Sequence, residues 1–187
     1  MDRAPRDVRS SLDLLRQSLD GAFAARADGL LAYRFALLDR NGREFGRLRL
    51  TDASVAELRL GGYAATLETS KRRLRMVTDG EEVLVGTLKM RSVDELILSS
   101  GEQTYEASFS FFRNRAIASH PDGEEAARLS GGATGRSYKA VFDTEDERAL
   151  PVAVFILWHL TMNRRFAYLA EASSKRGKSR RGSADLA

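Results

Sequence analysis

From Leu31 onward, apolar and polar side chains alternate with a period of two, the spacing of a half-buried β-strand. Tyr33, Phe35 and Leu37 alternate with Arg34, Ala36 and Leu38 ahead of Asp39-Arg40-Asn41-Gly42, and Phe45, Leu48 and Leu50 continue on the return. Asn-Gly is a strong hairpin signal because both residues tolerate positive φ. The same order of strand, Gly-containing turn and strand recurs in LRMVTDGEEVLVGTL, ELILSSGEQTYEASFSF and AIASHPDGEEAARLS. The turn glycines Gly42, Gly80, Gly101 and Gly123 are spaced by roughly one hairpin or a multiple of it. About ten or eleven short strands are expected between residues 31 and 143, a number that argues for a sandwich or barrel.

The period differs at both ends. Val8, Leu12, Leu15, Leu19, Phe23 and Ala27 share one helical stripe, so residues 6–28 read as an amphipathic helix stopped by Gly29. It either caps the body or pairs two copies, leaving monomer and homodimer both open. Near the other end, Ala149 to Met162 is apolar on every side, with Pro151 early, where a first helical turn accepts it. Such a helix needs cover all round, and a sheet closed on itself supplies it without leaving edges. The expected fold is therefore mainly β (α+β): a closed antiparallel barrel of about twelve strands around a hydrophobic helix at about 148–164. The divisions are an N-terminal helical unit 1–30, a barrel 31–168 and a basic disordered tail 169–187. Arg164 and Arg165 are expected near the end of the central helix, where cations are favoured.

Charge and composition narrow the chemistry. Of the formal net charge of +4, the segment 171–187 holds +3, from Lys175, Arg176, Lys178, Arg180 and Arg181 against Glu171 and Asp185. The body is nearly neutral, which argues against a dedicated nucleic-acid-binding domain; the tail offers weak, sequence-independent contact with nucleic acid or anionic lipid. There is no Cys, hence no disulfide, and two His with carboxylates are a poor zinc supply. Neither a metal nor another cofactor is expected. The apolar run is too short for a membrane span, and the opening MDRAPRDVRSSLDLLRQ has no leader-like apolar stretch. The expected location is cytoplasmic, with peripheral membrane contact as an option.

Three features together resemble the tubby C-terminal-like superfamily, which includes LURP-one-related proteins and phospholipid scramblases: the opening YRFALLDRNGREFG, the recurring strand–Asp-Gly–strand pattern, and the acidic lead into an apolar helix, DTEDERALPVAVFILWHL. The resemblance covers about residues 31–166. It implies a twelve-strand barrel threaded by its C-terminal helix, in a superfamily with few known activities. Tubby proteins bind phosphoinositides through basic groups on the barrel surface, but that motif does not map onto residues of this chain. No scramblase-like calcium motif is visible, and the Cys-rich segment of many scramblases is missing.

Individual candidates are each weighed against a plain structural role. Lys71, Arg73 and Arg75 share one strand face and, with Lys89 and Arg91, form a candidate patch for an anionic phospholipid head group; the alternative is a solvated face balanced by Glu68, Glu81 and Glu82. His159 reads as a core histidine and Trp158 as core with its N–H paired. His120, in Ser-His-Pro-Asp-Gly, reads as a turn residue, and Gly131–Gly135 as a loop before a strand. The paired carboxylates lie at turns, and HExxH, GxSxG and GxGxxG are absent. No catalytic residue is assigned. The favoured function is a non-catalytic binding or scaffold module; the alternatives are a small-molecule or nucleotide-binding protein or enzyme with a site at a barrel mouth, and an assembly protein pairing through its N-terminal helix.

Overall fold

The structure, a computed structural model, describes residues 8–29, 33–89 and 94–181, with side chains for 12–29, 33–89 and 94–165. Helix α1 (Val8–Leu19) is followed by twelve strands: β1 (Ala22–Asp28), β2 (Arg34–Leu38), β3 (Glu44–Leu50), β4 (Val55–Leu60), β5 (Tyr63–Ser70), β6 (Arg73–Thr78), β7 (Glu81–Leu88), β8 (Glu95–Ser100), β9 (Gln103–Ser110), β10 (Arg115–Ser119), β11 (Glu125–Gly131) and β12 (Ser137–Phe142). Helix α2 (Ala149–Arg181) ends the described chain. Each strand pairs antiparallel with its neighbour in sequence, and β1 pairs with β12 to close the barrel. Closure removes the unpaired edges of an open sheet.

Period-two alternation sets the two faces of the wall. In β4, Ala56, Leu58 and Leu60 point inward while Glu57 and Arg59 face solvent. Gly42, Gly80, Gly101 and Gly123 each adopt positive φ in their turns, as expected from their positions.

Helix α2 fills the interior. Val152, Val154, Phe155, Ile156, Leu157, Trp158 and Leu160 are wholly buried. Burial of a single large apolar side chain contributes roughly 1.5–3 kcal/mol, so this helix supplies much of the core that the wall packs against. Its start is capped by Asp146, whose Oδ1 accepts the Arg148 amide at 2.8 Å. The wall admits the helix closely: a Cβ on Gly86 of β7 would stand 3.0 Å from Cε1 of Phe155.

Four expectations need correction. The N-terminal helix ends at Leu19, and residues 22–28 form a strand rather than its last two turns. Asp20 (φ 50) and Gly21 (φ 74) break the helix in the left-handed region, after which Phe23 and Ala25 point into the barrel. The backbone also stays helical through 169–181, where disorder was expected, because a helix already nucleated inside the barrel extends cheaply; residues 182–187 lie outside those described. Arg164 and Arg165 consequently sit mid-helix, not at its end. Finally, the indole N–H of Trp158 is buried without a hydrogen-bond partner among the described residues. Its ring is wholly buried and packs edge-on to Phe155, with centroids 5.3 Å apart.

Helix α1 lies across the barrel mouth at which α2 begins. Leu12 and Leu19 are buried and Leu15 packs against the core, so the apolar stripe is occupied by the barrel itself. Leu14, 68% exposed, is off that stripe.

Candidate functional surfaces

With its interior filled, the barrel offers its outer wall and its two ends for recognition. The patch expected over strands β6 and β7 is heavily ion-paired. Arg73 reaches Glu82 at 2.7 Å, and Arg75 reaches Glu68 at 2.7 Å and Glu82 at 3.3 Å. Those hydrogen bonds, Glu82 first, push the Arg75 pKa upward. Lys89 stands 3.0 Å from Glu106 and 3.7 Å from Glu95, and its pKa is likewise raised, chiefly by Glu106. Lys71 occupies the β5–β6 turn with φ 56, apart from the Arg73 and Arg75 face. Arg91 lies outside the described residues. Among the described residues of the candidate patch, Arg73 and Arg75 therefore sit over acidic partners, Lys89 is paired with Glu106 and Glu95, and Lys71 lies in the turn.

His120 is a turn residue: its carbonyl accepts the Gly123 amide at 2.9 Å, and Asp122 accepts the Glu124 amide at 3.0 Å. Its ring nevertheless has a second role that spacing did not reveal. Nε2 is 3.4 Å from Oδ2 of Asp146, and the ring lies 4.9 Å from that of Tyr105. Tyr105, Asp146 and the His120 ring thus clasp the start of α2. His159 is buried in the core, its ring edge-on to Phe109 at 4.6 Å and its Nδ1 3.2 Å from the Asn163 amide nitrogen. The Gly131–Gly135 loop meets Asn114, whose Nδ2 donates to the Gly132 carbonyl at 2.7 Å, and Arg164, which donates to the Ala133 carbonyl at 3.2 Å.

The end of the barrel from which α2 departs has a distinct surface. In the β9–β10 turn, Phe111 stacks on Phe109 with centroids 5.7 Å apart, and Asn114 is buried and anchored as above. Between them Phe112 is 99% exposed, beside exposed Arg113 and Arg115. Arg165 lies over the Tyr33 ring, 3.2 Å from its centroid, at the same end. The FFRNR run carried this signal in the sequence, since two adjacent phenylalanines cannot both face inward from one tight turn.

A second cationic surface lies on the outer wall of β2–β4, where Arg34, Arg47, Arg49 and Arg59 line a groove of about 270 Å³ together with Glu57. These arginines were not singled out from the sequence. The alternation in RLRL (47–50) and ELRL (57–60) puts each on the outer face, but only the strand register brings them together.

No family model matches the chain, and no curated protein matches it. Among solved structures, an X-ray structure of a protein from Arabidopsis thaliana is similar to this chain, with a TM-score of 0.51 and 14% identity over 73% of this chain and 90% of that one. At that identity the likeness concerns the fold.

Proposed function

We propose that this chain is a non-catalytic binding module of tubby-like type that meets anionic phospholipid with the end of the barrel from which α2 departs. The observation that carries the reading is Phe112, a large apolar side chain left wholly in solvent by a turn whose flanking residues, Phe111 and Asn114, are tied down. Exposure forgoes roughly 1.5–3 kcal/mol of apolar burial, which an acyl boundary restores. Arg113 and Arg115 beside it suit lipid phosphates, each basic group contributing about 1 kcal/mol near an anionic surface. The candidate head-group residue Lys71 also lies in a turn at this end, as the 3.9 Å approach of Thr69 to Met162 on the departing helix indicates. The closed twelve-strand barrel around a buried helix supports the kinship. Among the described residues no helix is long and apolar enough to cross a membrane, which leaves surface docking as the mode for the helices.

Vesicle pelleting tests this reading. Phosphatidylserine vesicles are expected to retain the protein in low salt and to release it as salt rises, with phosphatidylcholine vesicles retaining little. Phe112→Ser should weaken retention about tenfold while leaving the melting temperature unchanged. Equal retention on both lipids, or none on either, rules the reading out.

A further inference from the structure

A crevice of about 240 Å³ opens at the mouth where α2 begins, between α1 and the barrel rim. Separate segments of the chain converge on it. Leu12 of α1 forms one side, and Tyr63 of β5 and Ser100 of β8 lie on the barrel side. Asp79 in the β6–β7 turn, Glu81 at the start of β7 and Arg148 just ahead of α2 bring charge to it. Its size is that of a small metabolite, below that of a drug-sized pocket.

The charges around it are unmatched. The Arg148 guanidinium is half-buried, yet it has no hydrogen bond or ion pair among the described residues, and neither have the carboxylates of Asp79 and Glu81. Opposite charges thus line one crevice without meeting. The Tyr63 phenol feels both: its pKa, raised chiefly by burial, is pushed further up by Asp79 and drawn down by Arg148. One turn along α1 from Leu12, Arg16 is buried with no hydrogen-bond partner for its Nε, and its ion pair with Asp13 spans 3.9 Å.

The hydroxyls on the barrel side offer acceptors. Thr78 donates to the Tyr63 oxygen at 2.7 Å, while Tyr63 donates to the Met76 sulfur at 3.8 Å. Ser100 donates to the Val83 carbonyl at 2.8 Å. With their protons committed, the Tyr63 and Ser100 oxygens have only lone pairs left, which an N–H donor satisfies.

We infer that this crevice is a binding site for a small zwitterion, an amino acid or dipeptide, with its carboxylate on Arg148 and its ammonium among Asp79, Glu81 and the two hydroxyl oxygens. Guanidinium takes a carboxylate through two parallel hydrogen bonds, and an ammonium with three donors suits a cradle of acceptors. Arg148 repels a simple cation, and the two carboxylates repel a simple anion. An apolar side chain on the ligand rests on Leu12 and so ties α1 to the rim. The crevice is at the opposite end of the barrel from Phe112 and stands independently of the reading given to that end.

Calorimetric titration with leucine and glycyl-leucine, each beside its N-acetyl and C-amide derivative, tests the inference. At least one zwitterion is expected to bind, about tenfold more tightly than either of its singly charged derivatives, as loss of one charge-assisted contact requires. Arg148→Gln should remove the advantage over the amide, and Asp79→Asn with Glu81→Gln the advantage over the N-acetyl form. None of these side chains has a partner to lose, and asparagine accepts the left-handed φ of 51 found at Asp79, so melting temperatures without ligand should match that of the parent. The bound zwitterion should also slow amide hydrogen exchange in α1. The comparison of derivatives on the unaltered chain decides the matter even where a variant unfolds. No binding by either zwitterion, equal binding by a zwitterion and its derivatives, a preference that survives both sets of substitutions, or unchanged exchange in α1 at saturation overturns the inference.

Discussion

The Tyr105 hydroxyl donates to both carboxylate oxygens of Asp146, at 3.1 Å and 2.9 Å, joining strand β9 to the cap of the central helix. Asp146 is buried, and it also accepts the Arg148 amide. Removing the phenol leaves a buried carboxylate short of a donor, the costlier way to break a hydrogen bond. Tyr105→Phe should therefore lower unfolding free energy by about 1–3 kcal/mol in urea titration. A change under about 0.5 kcal/mol would mean that the clasp does not hold the helix start.

Alkaline pH should weaken the fold. The phenol pKa values of Tyr105, Tyr63 and Tyr138 are all raised, chiefly by burial, with Asp146 adding to the effect at Tyr105. In the unfolded chain tyrosine titrates near about 10. A raised folded value means that the fold prefers the neutral phenol, so this stabilisation is complete below pH about 10 and is lost as pH rises beyond it. The urea midpoint should fall progressively as pH rises above about 10, and less so in Tyr105→Phe. An identical decline in the variant would remove Tyr105 from the effect.

Helix and wall meet without slack at Gly86. A methyl there would press on Phe155 Cε1 at 3.0 Å and on Leu98 Cδ2 at 3.2 Å. Gly86→Ala should cost about 1–3 kcal/mol, as overpacking does, and adding Phe155→Leu should recover part of that loss in the double variant. Additive losses would show that the two sites do not share a contact.

Ion pairing over β6 and β7 separates the two lipid-facing options. Because Arg73 and Arg75 already face Glu82 and Glu68, their joint change to Ala should alter vesicle retention by no more than about twofold. Arg113→Gln with Arg115→Gln should reduce it about thirtyfold, at about 1 kcal/mol per cation. The reverse ranking in the pelleting assay would return the contact to the 71–75 face.

These contrasts follow what linear order carries and what it does not. Alternation and turn glycines reveal the wall because each strand reports its own faces locally. The buried helix is legible because Val152 to Leu160 has no polar side suited to solvent. Strand β1 is hidden because Phe23 and Ala27, four apart, continue the stripe of α1 as readily as they alternate, and alanine favours helices. Its one signal is Asp20-Gly21, a left-handed pair that ends the helix. The groove arginines are each visible as outward-facing, yet their opposition depends on which residue of β3 meets which residue of β2 and β4. The clasp of His120 on Asp146 is equally non-local.

Closure between β1 and β12 also governs the order of assembly. β1 must wait for β12, and the segment destined for the centre follows all twelve strands of the wall. Hairpins can zip as they emerge, but the nascent sheet holds a greasy concave face open until α2 arrives, an interval in which a chaperone or a second nascent chain competes for it. Moving the chain ends by circular permutation, so that α2 comes first and the wall is laid around it, should shorten that interval without changing the finished molecule.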